Sequence, residues 1–240
     1  MSSENGGSLR VFDATIDYEV RCSDDATQPR IDVDIHGVTV VLPAGGDIDP
    51  HQLVEENARW VLEKWRNYES HREQAPSRSF EPGETFPYRG SELPVEVDDV
   101  DQSRVESDAF VLAAEAVEET GIQDELESLY RREARSVFEC RIDHYADEMG
   151  VEPGKLELRN QRTRWASCSP QRTLSFNWRL VMAPDDVIDY VVVHELAHLR
   201  EKNHTRRFWN IVQKHDPNYE EHVDWLTEHS ARLIFTEDDL

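Results

Sequence analysis

The sequence predicts an α+β fold in two parts, and three observations carry that prediction. Residues 11–43 alternate apolar with polar side chains, as strands with one buried face do. Residues 113–149 carry apolar side chains at three- and four-residue steps, the spacing of a helix with one buried face. The order along the chain is strands with one helix, then helix, strands and helices, which is an α+β order. The expected boundary falls after residue 112, leaving a β-rich N-terminal region, 1–112, and a second domain, 113–240.

Each element has its own signal. Ile31-Asp32-Val33-Asp34-Ile35 and Val38-Thr39-Val40-Val41-Leu42, with Gly37 between them, read as paired strands. Residues 49–70 read as a helix that buries Leu53, Ala58, Val61, Leu62 and Trp65. Residues 73–84 are polar and hold two prolines, so they read as a loop. Short strands are expected at 86–88, 93–97 and 109–112, with an acidic connection at 97–106. The long helical stretch breaks at Gly121, shows Leu126, Tyr130, Ala134, Phe138, Ile142 and Tyr145 on one face, and stops at Gly150. Strands follow at 156–159, 164–168 and 173–177, the last two joined by a turn at Pro170-Gln171-Arg172. A helix begins near Pro184, a favoured first-turn residue, and runs through Val187, Ile188, Val191, Val192 and Val193. Two further helices are expected at about 205–215 and 219–230.

Composition narrows the setting. The 240 residues carry a formal charge of -24, and only four of the 26 basic residues are Lys. Acidic residues run through the whole chain, which suits a protein adapted to high salt, where screening shortens self-repulsion. A low-salt protein with acidic partners is the alternative. Such a charge argues against a dedicated nucleic-acid binder, whose footprint is a basic patch. No apolar run is long enough to span a bilayer, and residues 1–10 lack the apolar core of a secretory signal, so a cytoplasmic setting is expected. Three scattered cysteines, Cys22, Cys140 and Cys168, make no disulfide framework. The oligomeric state is left open.

The chemistry-bearing stretch is His194-Glu195-Leu196-Ala197-His198, an H-E-x-x-H sequence inside a helical pattern. Side chains four apart on a helix lie one above the other, so both imidazoles reach a single ion. Glu195 stands beside that ion as general base to its water. A catalytic zinc takes three protein ligands and keeps one open place, and His204 is the best third donor. On a continued helix His204 would sit about 600° round and about 9 Å along from His198. The chain must therefore leave the helix between Arg200 and Asn203, and Asn203 enters the left-handed region readily. Two surface histidines and a glutamate would explain the motif blandly. The apolar run before it and the reachable histidine after it favour a metal site.

Several stretches resemble the YgjP-like metallopeptidase family. They are Arg162-Thr163-Arg164-Trp165-Ala166-Ser167-Cys168-Ser169, Leu174-Ser175-Phe176-Asn177-Trp178-Arg179-Leu180, the run from Ile188 to His198, and Asn203-His204 with Phe208-Trp209. The resemblance implies a zincin-like catalytic domain with an N-terminal β-rich part, a Zn2+ ion, and hydrolysis of peptide bonds in a protein or peptide substrate. It carries the metal ligands onto His194, His198 and His204 and the catalytic glutamate onto Glu195. Ala166 departs from the family, which commonly has Gly there, and its methyl group narrows any backbone-lined groove.

Weaker assignments stay open in the sequence. Trp165 and Ser167 either border the cleft or, for Trp165, pack in the core. Cys168 reads as a small buried residue, and Phe208, Trp209 and Val212 read as core. His215, Tyr219 and His222 have the chemistry of oxyanion donors but more often hold helices together. Two other functions compete. One is a DNA-associated factor of SprT-like type, using Arg131, Arg132, Arg135, Arg159, Arg162 and Arg164. The other is a metal-dependent hydrolase of non-peptide amides.

Overall fold

A computed structural model of the chain describes residues 6–11, 14–23, 26, 28–34, 37–45, 48–74, 76–160 and 164–236. Of the residues singled out above, Ile35, Arg162 and Thr163 lie outside this set. The chain is α+β, and it packs into two units, Met1–Ala75 and Pro76–Asp239, each with its own apolar core. Among the described residues no helix is long and apolar enough to cross a membrane.

The first unit is a four-stranded sheet with two helices. Strands β1 (Gly7–Val11) and β2 (Ala14–Ser23) form one antiparallel hairpin, and β3 (Arg30–Asp34) and β4 (Gly37–Pro43) form another. The hairpins join through parallel pairing of β2 with β4. The register sets Ile31 opposite Val40 and Val33 opposite Val38, as the alternation predicts. The expected single helix is two, α1 (Pro50–Glu56) and α2 (Ala58–Gln74). The interruption is Asn57, whose side-chain amide takes the Leu53 carbonyl at 2.9 Å and so competes with the helical backbone.

The second unit holds everything else. Its first sheet has the order β5-β6-β8-β7, from β5 (Thr85–Tyr88), β6 (Ser91–Asp98), β7 (Arg104–Val105) and β8 (Phe110–Ala113). Helices α3 (Ala114–Thr120) and α4 (Ile122–Met149) follow, divided at Gly121. Gly150 ends α4 in the left-handed conformation, its N–H donating to the carbonyls of Ala146 and Asp147. The second sheet has the order β10-β11-β9, with β9 (Leu156–Arg159), β10 (Ala166–Cys168) and β11 (Leu174–Asn177), so β10 lies at an edge. A 3₁₀ turn at Trp178–Met182 leads to α5 (Asp185–Ala197), α6 (Arg206–His215) and α7 (Tyr219–His229).

The division of the chain corrects the boundary expected at residue 112. Phe86, Val95, Phe110 and Leu112 are fully buried in one cluster with Leu126, Tyr130 and Phe138 of α4. The Tyr130 hydroxyl donates to the Pro87 carbonyl at 2.6 Å, and the Arg89 N–H to the Val181 carbonyl at 3.0 Å. Residues 76–112 therefore share the core of the second unit. An alternating pattern announces a strand but not the core it joins, which is why the sequence placed these strands with the first sheet.

A truncation tests this division. A chain starting at Gln123 loses those four buried apolar side chains. Removing one buried Phe typically costs about 3–5 kcal/mol against a total stability of about 5–15 kcal/mol. Residues 123–240 are therefore expected not to melt cooperatively, whereas residues 76–240 are expected to do so. Cooperative melting of the shorter chain would mean that the first sheet of this unit is dispensable.

Candidate metal centre

Helix α5 is apolar almost throughout, and Val187, Ile188, Val191, Val192, Val193, Leu196 and Ala197 are buried. Pro184 stands just before its first turn rather than in it. Acidic side chains fix its N-terminal half. Arg89 holds Asp185 with two contacts of 2.7 Å, and Arg141 of α4 reaches Asp185 and Asp189 at 2.6 Å each. Carboxylates near a helix start also face the positive end of its dipole. The last residues of α5 are thereby presented from a rigid element.

His194 and His198 lie one turn apart, with ring centroids 5.0 Å from each other. The chain then leaves α5 by tightening. The N–H groups of Leu199 and Arg200 bond three residues back, to Leu196 and Ala197, at 3.1 and 3.0 Å. The left-handed turn expected at Asn203 is not used. Among the described residues, positive φ outside glycine occurs at Phe80, Arg89 and Arg172. Reversal comes instead from this tightened turn and from a close turn in which the Thr205 N–H reaches the Asn203 carbonyl at 2.6 Å. The Arg200 guanidinium donates to the Met149 carbonyl at the end of α4, tying the loop down. His204 is thus returned over α5, its Nε2 lying 3.0 Å from Nε2 of His194. One ligand atom from each of His194, His198 and His204 falls within 4.8 Å of the others. The fully buried Phe208 ring packs against all three imidazoles, at 4.8, 4.6 and 4.7 Å between centroids.

The electrostatics suit a metal. Burial, helped by its two histidine neighbours, pushes the His194 pKa down to about 3, so its imidazole is neutral. Burial also lowers His198. Nδ1 of His198 lies 3.3 Å from the Glu201 carbonyl, which can only accept, so that nitrogen carries the proton and Nε2 is left as a donor to an ion. Nδ1 of His194 has the Tyr190 hydroxyl at 3.3 Å. Glu195 is 6% exposed, and burial raises its carboxyl to about 8 against the pull of Arg164 and of the Cys168 backbone N–H. Its Oε2 is buried with no hydrogen-bond partner. Three converging imidazoles beside an orphaned carboxylate oxygen make a donor set that fits a divalent cation.

A cleft of about 860 Å³ opens over the three histidines and Glu195. Its far wall is β10 and the turn after it, with Arg164, Ala166, Ser167, Cys168 and Arg172, and Lys202 closes it from the His198–His204 loop. Ser167 thus borders the cleft, whereas Trp165 packs against the core with the Arg179 guanidinium 6.0 Å from its ring. Cys168 is half-buried, packing against the core on one side and lining the cleft on the other. His215 bonds Glu148 and His222 bonds Asp216, both at 2.8 Å, and Tyr219 stacks on Trp209, so these three serve packing. Tyr190, Arg172 and Lys202 were missed by the sequence reading. Tyr190 precedes His194 by four residues, so helical spacing alone places it one turn below that imidazole.

A family model described as YgjP-like, metallopeptidase domain, matches residues 27–229. A search among curated proteins finds no match. The metallopeptidase zymogen abylysin of Pyrococcus abyssi is 25% identical, with a TM-score of 0.36, over 39% of this chain and 95% of its own. The zymogen jannalysin of Methanocaldococcus jannaschii is 20% identical, with a TM-score of 0.36, over 39% and 96%. Both likenesses are partial, and the family assignment stands on the sequence match alone.

Proposed function

The chain belongs to the YgjP-like metallopeptidase domain family, and from that premise we propose that it is a zinc peptidase. In this reading His194, His198 and His204 hold the ion and Glu195 is the general base. The observation that carries it is the convergence of three imidazole nitrogens within 4.8 Å beside the unpartnered Oε2 of Glu195. Neutral nitrogen donors in a set of three suit Zn2+ with one place left open. When bound, the ion supplies a Lewis acid that polarises the scissile carbonyl and acidifies water.

The remaining work belongs to the chain's own side chains. Glu195 is raised by burial, and a neighbouring divalent cation draws a carboxylate back towards its ionised form. The ionised Oε2 takes a proton from the attacking water and passes it to the leaving nitrogen. Among the described residues strand β10 has no partner on its outer edge, and it lies beside α5, so an extended peptide can pair with it through backbone hydrogen bonds. Tyr190 accepts from Nδ1–H of His194 and so fixes the ring. Tyr190→Phe is expected to weaken zinc binding by about 10–100-fold, the usual effect of losing such a partner. Chelator competition measures it, and unchanged affinity would remove Tyr190 from the support of the site.

The test of the reading is metal content and product analysis on one preparation. About one zinc per chain and cleavage of an unfolded protein are expected from a three-ligand catalytic site. Zinc with cleavage only of small amides would favour the non-peptide hydrolase instead. The DNA-associated alternative finds little support. Arg131, Arg135 and Arg159 are paired with Glu127, Glu139 and Glu157, and Arg132 donates to the Ser103 carbonyl. The net charge of -24 is read as adaptation to high salt. The melting temperature is accordingly expected to rise as salt goes from about 0.1 M to about 1 M, where the range of repulsion falls from about 10 Å to about 3 Å. A flat or falling melting temperature would contradict that setting.

A further inference from the structure

The cleft reverses the charge balance of the chain. Asp and Glu outnumber Lys and Arg by 50 to 26 in the sequence, yet the charged residues lining the cleft are Arg164, Arg172, Lys202 and the single acid Glu195. All three cations are exposed, and none makes a salt bridge among the described residues. Arg164 acts on the Glu195 carboxylate across the groove, but in a chain so rich in carboxylates, Arg172 and Lys202 left without an ion pair on the same groove need a reason.

Their placement gives one. Arg164 precedes β10 and Arg172 follows the turn after it, so cations stand at both ends of the free edge. Lys202 faces them from the loop that carries His204. Arg172 is also held in an uncommon backbone conformation, with φ of 64°. Its N–H donates to the Ser169 carbonyl at 2.9 Å and its carbonyl accepts from the Gly154 N–H at 2.7 Å. A Cβ at Gly154 would meet that carbonyl at 2.8 Å, so only glycine permits this close approach. The turn is therefore pinned, with Arg172 on the cleft wall.

Resting on the peptidase reading, we propose that the cleft selects carboxylate-bearing peptides, with Arg172 and Lys202 contacting carboxylates that flank the bond to be cut. An extended peptide advances about 3.3 Å per residue, so a strand alongside β10 passes from Arg164 towards Arg172 within about four residues. Carboxylates on either side of the scissile bond can thus meet a cation. Guanidinium and ammonium groups bind carboxylates by charge-assisted hydrogen bonds, which hold at contact distance even where salt screens longer-range attraction. The carboxylates come from Asp and Glu side chains or from a peptide C-terminus.

The test uses the full zinc-loaded chain and paired dye-labelled peptides, one with Asp and Glu flanking the cut and one with Asn and Gln. The acidic peptide is expected to show kcat/KM about tenfold higher, carried in KM, the value of one charge-assisted contact. Lys202→Glu, and Lys202→Glu with Arg172→Asn, should abolish or invert that ratio; Asn tolerates the left-handed backbone at position 172. Amidating the C-terminus separates the two carboxylate sources: a preference that survives belongs to side chains, one that vanishes belongs to the terminus. Equal rates for both peptides, or an unchanged ratio in the variants, would overturn the proposal while leaving the peptidase reading intact. Binding of the same peptides to Glu195→Gln, followed by fluorescence anisotropy, decides the matter if no peptide is cut. Tighter binding of the acidic peptide then supports the selectivity although the peptidase reading has failed, and displacement of it by single-stranded DNA at lower concentration would overturn the selectivity in favour of nucleic acid.

Discussion

Glu195→Gln is expected to keep the fold and the zinc while slowing peptide hydrolysis by about 10²–10⁴-fold, the contribution of a positioned general base. The substitution preserves size. One oxygen of the native carboxylate accepts from the Cys168 backbone N–H, and the amide oxygen of glutamine can keep that bond. What disappears is the basic Oε2, the buried atom with no other partner. A second readout separates this from general damage. In metal-free protein burial raises the Glu195 pKa from 4.5 to about 8. A raised pKa favours the folded state at low pH, and that advantage fades as pH climbs from about 4.5 through about 8. The metal-free parent should therefore lose stability across that interval by an increment that the Gln variant lacks. Cleavage by the variant at the parent's rate would exclude Glu195 as the base.

Loss of a histidine should act the other way, on the metal first. His204→Ala removes an exposed side chain from a loop, so the fold is expected to persist. Zinc affinity should fall by more than the roughly 10–100-fold that loss of an outer partner costs, because a whole ligand is gone. Activity should fall with it and return in part as zinc is raised. His194→Ala should lose both zinc and activity, and it also opens space beside Tyr190 and Phe208. Metal analysis after gel filtration, with assays at graded zinc, distinguishes the two. Full zinc retention by His204→Ala would take His204 out of the ligand set.

What the sequence made legible follows from the range of the interactions involved. The helix carrying His194 and His198 was readable because four-residue spacing is local. The stop at Gly150 was equally readable, since a C-terminal glycine acts on its own turn. The return of His204 was foreseen, but its route was not. Sequence chemistry pointed to a left-handed Asn203, whereas the turn rests on a 3₁₀ tightening and on Arg200 reaching α4, fifty residues away in the chain. The same blindness to distance misassigned the strands at 85–113, whose patterns said β but whose partners are on α4. Arg172 was read as part of a turn, and its place on the cleft wall emerges only when β10 is set beside α5.

The grip of Arg200 on the end of α4 also bears on when order is acquired. A loop that carries a metal donor can be loose until the ion arrives, and each residue then ordered costs about 1–2 kcal/mol of conformational entropy at that moment. Here the segment between His198 and His204 is fastened to the Met149 carbonyl and seated on Phe208 by the chain's own contacts. Its freedom is surrendered while the polypeptide folds. Capture of the ion then requires little rearrangement, so calorimetry of zinc titrated into the metal-free protein should register a heat-capacity change far smaller than coupled folding and binding produces.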